Sequence, residues 1–350
     1  MNSIDRPTVR VRTTTDLLAL IPALLGFHPT ASLVLVAVDA AGHLPTVVRL
    51  DLAAATDPAG PLRIAVDQIT TALGTQPGAH VVLAGYGSAD QVAPAITTAA
   101  HALRYHGITI GAALRVANGR FWQLGGDHVP PGPAEGLPFD PATSPVTAIT
   151  AQAGLAALPD REALAATLAP VTGEARDRMV AATAAACGFF ADLMEAAAPE
   201  GATDPDAGLH TPIGLAMQYT ARTYLRRAED SYRQGQPVDD EQAGMLTAAL
   251  ELPSLRGYAV GRTSGQPWQI AMWTDLLRRA EPEFATTPAI LLALCALHAG
   301  NGALADIAAH RALAADPDDE FAQWLATAIA AGITPNQVAA LLSADHHPIR

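Results

Sequence analysis

Near the start of the chain, His28, Ser32 and Asp51 offer the three side-chain types of an acyl-transfer triad. Such a set needs a nucleophile held exposed on a strained turn, as in a GxSxG elbow, with a base in reach. Ser32 has no elbow. It opens the apolar run SLVLVAV, where a hydroxyl commonly bonds nearby backbone. His28 sits in LLGFHP, where a helix-like stretch gives way to that run. Its imidazole is expected to fasten the corner, with a ligand or partner contact as the other reading. Arg49 and Asp51 alternate out of an apolar strand, opposite Val48 and Leu50, and can pair with Asp16 or face a cleft. Asp16, Gly26, Phe27, His28, Pro29, Ser32, Arg49 and Asp51 thus form one candidate binding or structural motif.

A second stretch, Gly85-Tyr86-Gly87-Ser88, follows a strand pattern and precedes a helix pattern, the place where backbone amides cradle phosphates. Against that, the third glycine of GxGxxG is missing, Asp90 stands there, and Tyr105 occupies the position of an acidic ribose contact. The plainer reading is a tight turn capped by Ser88. Metal chemistry has little footing. The 11 histidines include no HExxH and no pair at i, i+4. Cys187 and Cys295 lack any metal spacing and are expected to be small buried hydrophobes. No cofactor is expected.

Composition removes further classes. All 21 basic residues are arginine, so no Walker lysine, Schiff base or Ser-Lys pair is available in this chain. The net charge of −13 argues against nucleic acid and acidic membrane surfaces as partners. The opening MNSIDRPTVRVR shows no signal-peptide pattern, and no run approaches a membrane span, so a soluble cytoplasmic protein is expected.

The elements that must position these residues follow from periodicity. A short strand at 8–13 precedes a helix at 16–25 capped by Thr14 or Thr15, with Pro22 inside and Gly26 as terminator. Strands at 32–38 and 44–52 form a hairpin. A helix at 61–73, a strand at 80–84, a helix at 90–105 and strands at 108–117 and 120–124 follow, the last two joined by Asn118-Gly119. Residues 127–145 carry six prolines and read as a linker or long loop. Helices then fill 148–158, 161–168, 175–198, 213–234, 239–250, 267–280, 287–299, 302–315, 318–331 and 335–343. The expected fold is a mixed α+β or α/β N-terminal domain, residues 1–126, with hairpins and packed helices. After the 127–145 segment comes an all-α, tetratricopeptide-like helical domain, residues 146–350. Within it, 286–319 has the spacing of one tetratricopeptide helix pair.

Residues 14–38 also resemble a known family in their wording. These are Asp16-Leu17-Leu18, Pro22, Leu24-Leu25-Gly26-Phe27-His28-Pro29 and Ser32-Leu33-Val34. Trp273, Leu276-Leu277-Arg278-Arg279, Gly300-Asn301-Gly302-Ala303, the stretch from Arg311 to Pro317 and Ala331-Gly332 add to it. The chain is similar to the actinobacterial domain of unknown function 4192 family. The resemblance implies no activity. It departs at Arg256-Gly257, where the family tends to Arg-Asp, and it does not reach 127–210.

The expected role is a protein-interaction or scaffolding module, with a protein partner held by the helical domain and no catalysis. The alternative is a small-molecule sensor or enzyme with its cleft around residues 24–32.

Overall fold

Thr13 starts the first helix. In the computed structural model, which describes residues 10–74, 76–198, 207–333 and 337–338, its hydroxyl accepts from the Asp16 amide and the Asp16 carboxylate accepts from the Thr13 amide. That reciprocal cap sets helix α1 at Thr14–Leu25, so the cap is not Thr14 or Thr15. It also occupies the backbone that a strand at 8–13 would need; residues 10–13 form none, and 8–9 lie outside the described residues. Gly26, at φ 81°, ends α1 in the left-handed conformation that glycine adopts without strain.

The fold is mixed α+β, with a six-stranded mixed sheet in the N-terminal half and helices dominating the rest. The chain divides between Ala163 and Leu164 into two compact units.

In the first unit, β1 (Ser32–Val38) and β2 (Thr46–Asp51) form the expected hairpin. Helix α2 (Pro61–Leu73) leads to β3 (His80–Tyr86), which lies antiparallel to β1. Helix α3 (Ala89–Tyr105) carries the chain to β4 (Thr109–Ala117), parallel to β3. Asn118 (φ 50°) and Gly119 (φ 69°) then turn it into β5 (Arg120–Gly125). The two-residue β6 (Leu137–Pro138) closes the order β2-β1-β3-β4-β5-β6.

One face of the sheet, through Leu33, Leu35, Val81, Leu83 and Ile110, packs on Leu62, Val66 and Ile69 of α2 and Val92, Ala95 and Leu103 of α3. Val34, Val36, Val82, Ala84 and Leu114, on the opposite face, are buried as well. Burial on both sides is why β1 reads as a continuous apolar run.

The Pro-rich stretch is strapped along β5. Prolines offer carbonyls without amides, and β5 supplies the donors. Arg120 reaches the Glu135 and Gly136 carbonyls, Trp122 Nε1 that of Ala134, and Gln123 Nε2 that of Pro130. Helix α4 (Pro145–Gln152) packs on α1, and the short α5 (Arg161–Ala166) spans the boundary between units.

The second unit contains α6 (Glu174–Ala197), α7 (Pro212–Arg233), α8 (Asp240–Ala249), α9 (Pro253–Val260), α10 (Pro267–Arg279), α11 (Thr286–His298), α12 (Gly302–Ala315) and α13 (Glu320–Ala330). Helix α9 is absent from the sequence reading because it is short and carries Gly257 mid-helix, a poor helix former. Of the helix expected at 335–343, only 337–338 are described, as helical. Among the described residues only α6 has the length and apolar content of a membrane span, and just 22% of that stretch is buried. Its many alanines raise hydropathy without filling a core. Cys295 is buried, which pushes its thiol up to about 12, whereas Cys187 is only half-buried, against the expectation for both.

Three arginine–carboxylate pairs tie this unit together: Arg262 with Glu229, Arg279 with Asp275, and Arg256 with Asp319. Arg256, the residue beside the family departure, therefore finds its carboxylate at the cap of α13. Burial would raise the Asp319 pKa. The Arg256 hydrogen bond and the Ala322 amide outweigh it and hold the carboxyl below 3.8. A depressed folded-state pKa contributes stability above the unfolded value and loses it as pH falls through the folded one. Asp319→Asn should therefore lower stability at neutral pH and flatten the loss below pH 3.8, read from urea midpoints across the acid range.

Candidate functional site

The parallel pair β3 and β4 ends at Tyr86 and Ala117, and a cavity of about 650 Å³ opens there. Open α/β sheets offer ligand crevices at this place, outside the carboxyl ends of parallel strands. Its walls come from the Gly87-Ser88-Ala89 turn into α3, the Asn118-Gly119 turn, the His28–Ala31 corner, Leu18 and Pro22 of α1, and Phe139 with Pro141.

The Gly85–Ser88 turn works differently from the sequence expectation. A Cβ on Gly85 would overlap the Val92 side chain, so this glycine lets the first turn of α3 lie against β3. That is the helix-packing task given to the third glycine of the dinucleotide fingerprint. Ser88 does not cap the backbone; its hydroxyl donates to Gln91 Oε1 at 3.0 Å. The α3 N-terminus therefore keeps amides without a side-chain acceptor, at the positive end of the helix dipole.

Tyr86 lines the cavity at 8% exposure, and its buried hydroxyl has no hydrogen-bond partner. Burial pushes the phenol upward, so it stays a protonated donor. Arg115 pairs across the strands with Gly85 and so projects on the α3 side, while Tyr86 projects to the other side. The cavity reaches over the strand ends and touches both. Arg115 stacks on Trp122, 3.5 Å from the ring centroid, and has no carboxylate partner among the described residues. In a chain with 34 acidic residues, none of the lining residues is Asp or Glu.

The candidate motif separates into parts. Main chain, not imidazole, fastens the corner: the His28 amide donates to the Leu158 carbonyl at 2.9 Å, and the Leu158 amide to Gly26 at 2.9 Å. Phe27 is buried and bridges to Leu158. The His28 side chain is exposed and, with Pro29, lines the cavity. Ser32, fully buried, donates to the Thr30 carbonyl at 2.5 Å and accepts from Arg49 Nε at 2.8 Å. Arg49 in turn pairs with Asp51 at 2.6 Å. The Ser32 hydroxyl proton is thus committed to backbone, which removes it as a nucleophile, and Ser32, Arg49 and Asp51 do not line the cavity. Asp16 caps α1 elsewhere; the Arg12 and Thr13 amides hold its carboxyl below the usual range. The described residues contain no group of His, Cys, Asp or Glu that could hold a metal ion.

The motif reading missed Arg115, Asn118, Phe139 and Pro141. Arg115 left one trace, a charge inside an otherwise apolar strand pattern. Tyr86 was visible only as a spacer between glycines.

A family model described as a domain of unknown function (DUF4192) matches residues 15–336. The chain belongs to this family. No curated protein and no solved structure matches it. In this member of the DUF4192 family the matched span takes in every residue that lines the cavity.

Proposed function

We propose that the first unit is a small-molecule-binding module, with the cavity at the ends of β3 and β4 as its ligand site. The observation that carries this reading is the cavity itself, at the carboxyl ends of the parallel strands, lined in part by Tyr86, whose hydroxyl is buried without a partner. A buried polar group without a partner costs about 1–3 kcal/mol, a cost relieved if the wall opens to a ligand acceptor. Tyr86→Phe is therefore expected to stabilise the ligand-free protein by about 1 kcal/mol, measured by urea unfolding. Unchanged or lower stability would mean that the hydroxyl has a partner and that the argument for a ligand is lost.

The binding reading is tested by titrating the full chain with benzyl alcohol, a small amphipathic probe, in a calorimeter. Saturable binding is expected in the wild type and its loss in Thr30→Trp, which fills the mouth from an exposed wall position. No saturation, or equal binding by both proteins, overturns the reading.

A second reading is an interaction or scaffolding module that recruits a protein through the helical unit. Supporting it are the exposed apolar side chains Phe189 on α6 and Ile213, Leu215 and Tyr219 on α7. The tetratricopeptide-like pairing proposed for 286–319 contributes less, because α11 is buried from Thr286 to Leu297 and keeps no open face for a partner. Both readings carry the cytoplasmic setting expected from the sequence.

A further inference from the structure

We propose that the cavity takes a phosphorylated small molecule, with the phosphoryl group at the N-terminus of α3 and the organic body extending over the strand ends toward Tyr86. This rests on the binding reading above and deepens it to a ligand class.

Three features converge on a phosphate, and a fourth on an organic body attached to it. The first turn of α3, a helix of 17 residues, presents amides that no side chain caps, and Ser88 and Ala89 at its start line the cavity. Amides in that arrangement with the helix dipole behind them are a ready seat for a phosphoryl group. Arg115 projects on the same side of the sheet and has no carboxylate to neutralise it among the described residues. Its stack on Trp122 fixes the guanidinium plane and limits the side-chain entropy lost on binding. The lining holds no Asp or Glu, although the chain has a net charge of −13. Asp90 lies in the first turn of α3 but is exposed and does not line the cavity.

The fourth feature gives the ligand a body as well as a head. Tyr86 lines the cavity on the opposite side of the strand ends, and its buried hydroxyl has no partner. Around it, Leu18, Pro22, Pro29, Ala31 and Phe139 offer an apolar wall. Bare inorganic phosphate would leave most of the roughly 650 Å³ unfilled.

The test titrates the full chain calorimetrically with phenyl phosphate, inorganic phosphate and benzyl alcohol at constant ionic strength. Phenyl phosphate is expected to bind at least about tenfold tighter than benzyl alcohol, the scale of one charge-assisted contact. Inorganic phosphate is expected to bind and to compete with it. Arg115→Gln should weaken both phosphates by about tenfold or more and leave benzyl alcohol unchanged. Ser88→Asp, which keeps Arg115, should place a carboxylate on the α3 amides, raise the melting temperature and abolish phosphate binding. If phenyl phosphate and benzyl alcohol bind equally, the phosphate seat is wrong while the cavity reading stands. If benzyl alcohol also fails to bind, both fall. Phosphate binding that survives Arg115→Gln and Ser88→Asp would overturn the assigned seat.

Discussion

Arg262→Ala should be among the most damaging single substitutions in the helical unit, costing about 3–5 kcal/mol. Glu229 sits on α7 with only 2% of its side chain exposed. Arg262 meets it with two nitrogens, Nε on Oε1 at 2.9 Å and Nη2 on Oε2. Arg233 is the other cation near it, at 3.7 Å and 43% exposed. Removing Arg262 leaves a buried carboxylate with one long, solvent-screened partner. The loss is then set by the desolvated charge rather than by the net worth of the pair, which is modest for buried ion pairs in general. Urea unfolding of the full chain measures the cost. Glu229→Gln in the Arg262→Ala background should recover part of it, since a neutral amide needs no counter-charge. A cost below about 1 kcal/mol, the range of exposed pairs, would show that water reaches Glu229.

Gly85→Val is expected to cost about 3 kcal/mol, the upper end of overpacking effects, and to disable the cavity. The new side chain would occupy the space of Val92, which is 0% exposed in the core between β3 and α3. Neither partner can yield easily, because β3 is hydrogen-bonded on both sides, to β1 and to β4. The first turn of α3 must therefore move outward, and it carries the amides that border the cavity. The expected outcome is a melting temperature lower by roughly 6–12 °C, from the usual scaling for a unit of this size, with loss of benzyl alcohol binding. Gly87→Ala is the comparison. A Cβ there meets Leu52 Cδ1 at 3.1 Å, a flexible tip. Its φ of 152° is one that side chains rarely adopt, so Gly87→Ala costs backbone strain of about 1–3 kcal/mol rather than an overlap with the core. A Gly85→Val variant that keeps its melting temperature and its benzyl alcohol binding would argue against the close helix–strand approach.

Local patterns that act over a few residues were legible. The hydrophobic spacing of Leu62, Ala65, Val66, Ile69 and Leu73 gave α2 its limits, because one face of a helix must be buried. Asn118-Gly119 marked the β4–β5 hairpin, since both residues tolerate positive φ. The first cap was misplaced by one residue, because three successive threonines look alike until Asp16 selects one of them. His28 stood out, yet its proposed fastening role belongs to the main chain of Gly26, His28 and Leu158. A partner about 130 residues away in sequence leaves no local signal.

Residue types and their spacing set most strand and helix periods, the turn residues, the absence of amine chemistry and the family motif. Each of these is a property of residue types within one or two turns of chain. Which candidate residues share a space depended on the folded chain. It set Ser32, Arg49 and Asp51 on one edge and His28 in the cavity, and it brought in Tyr86 and Arg115 from strands whose register no local pattern encodes. Burial, and with it the cost of an unpartnered hydroxyl or a lone guanidinium, exists only once distant segments exclude water together.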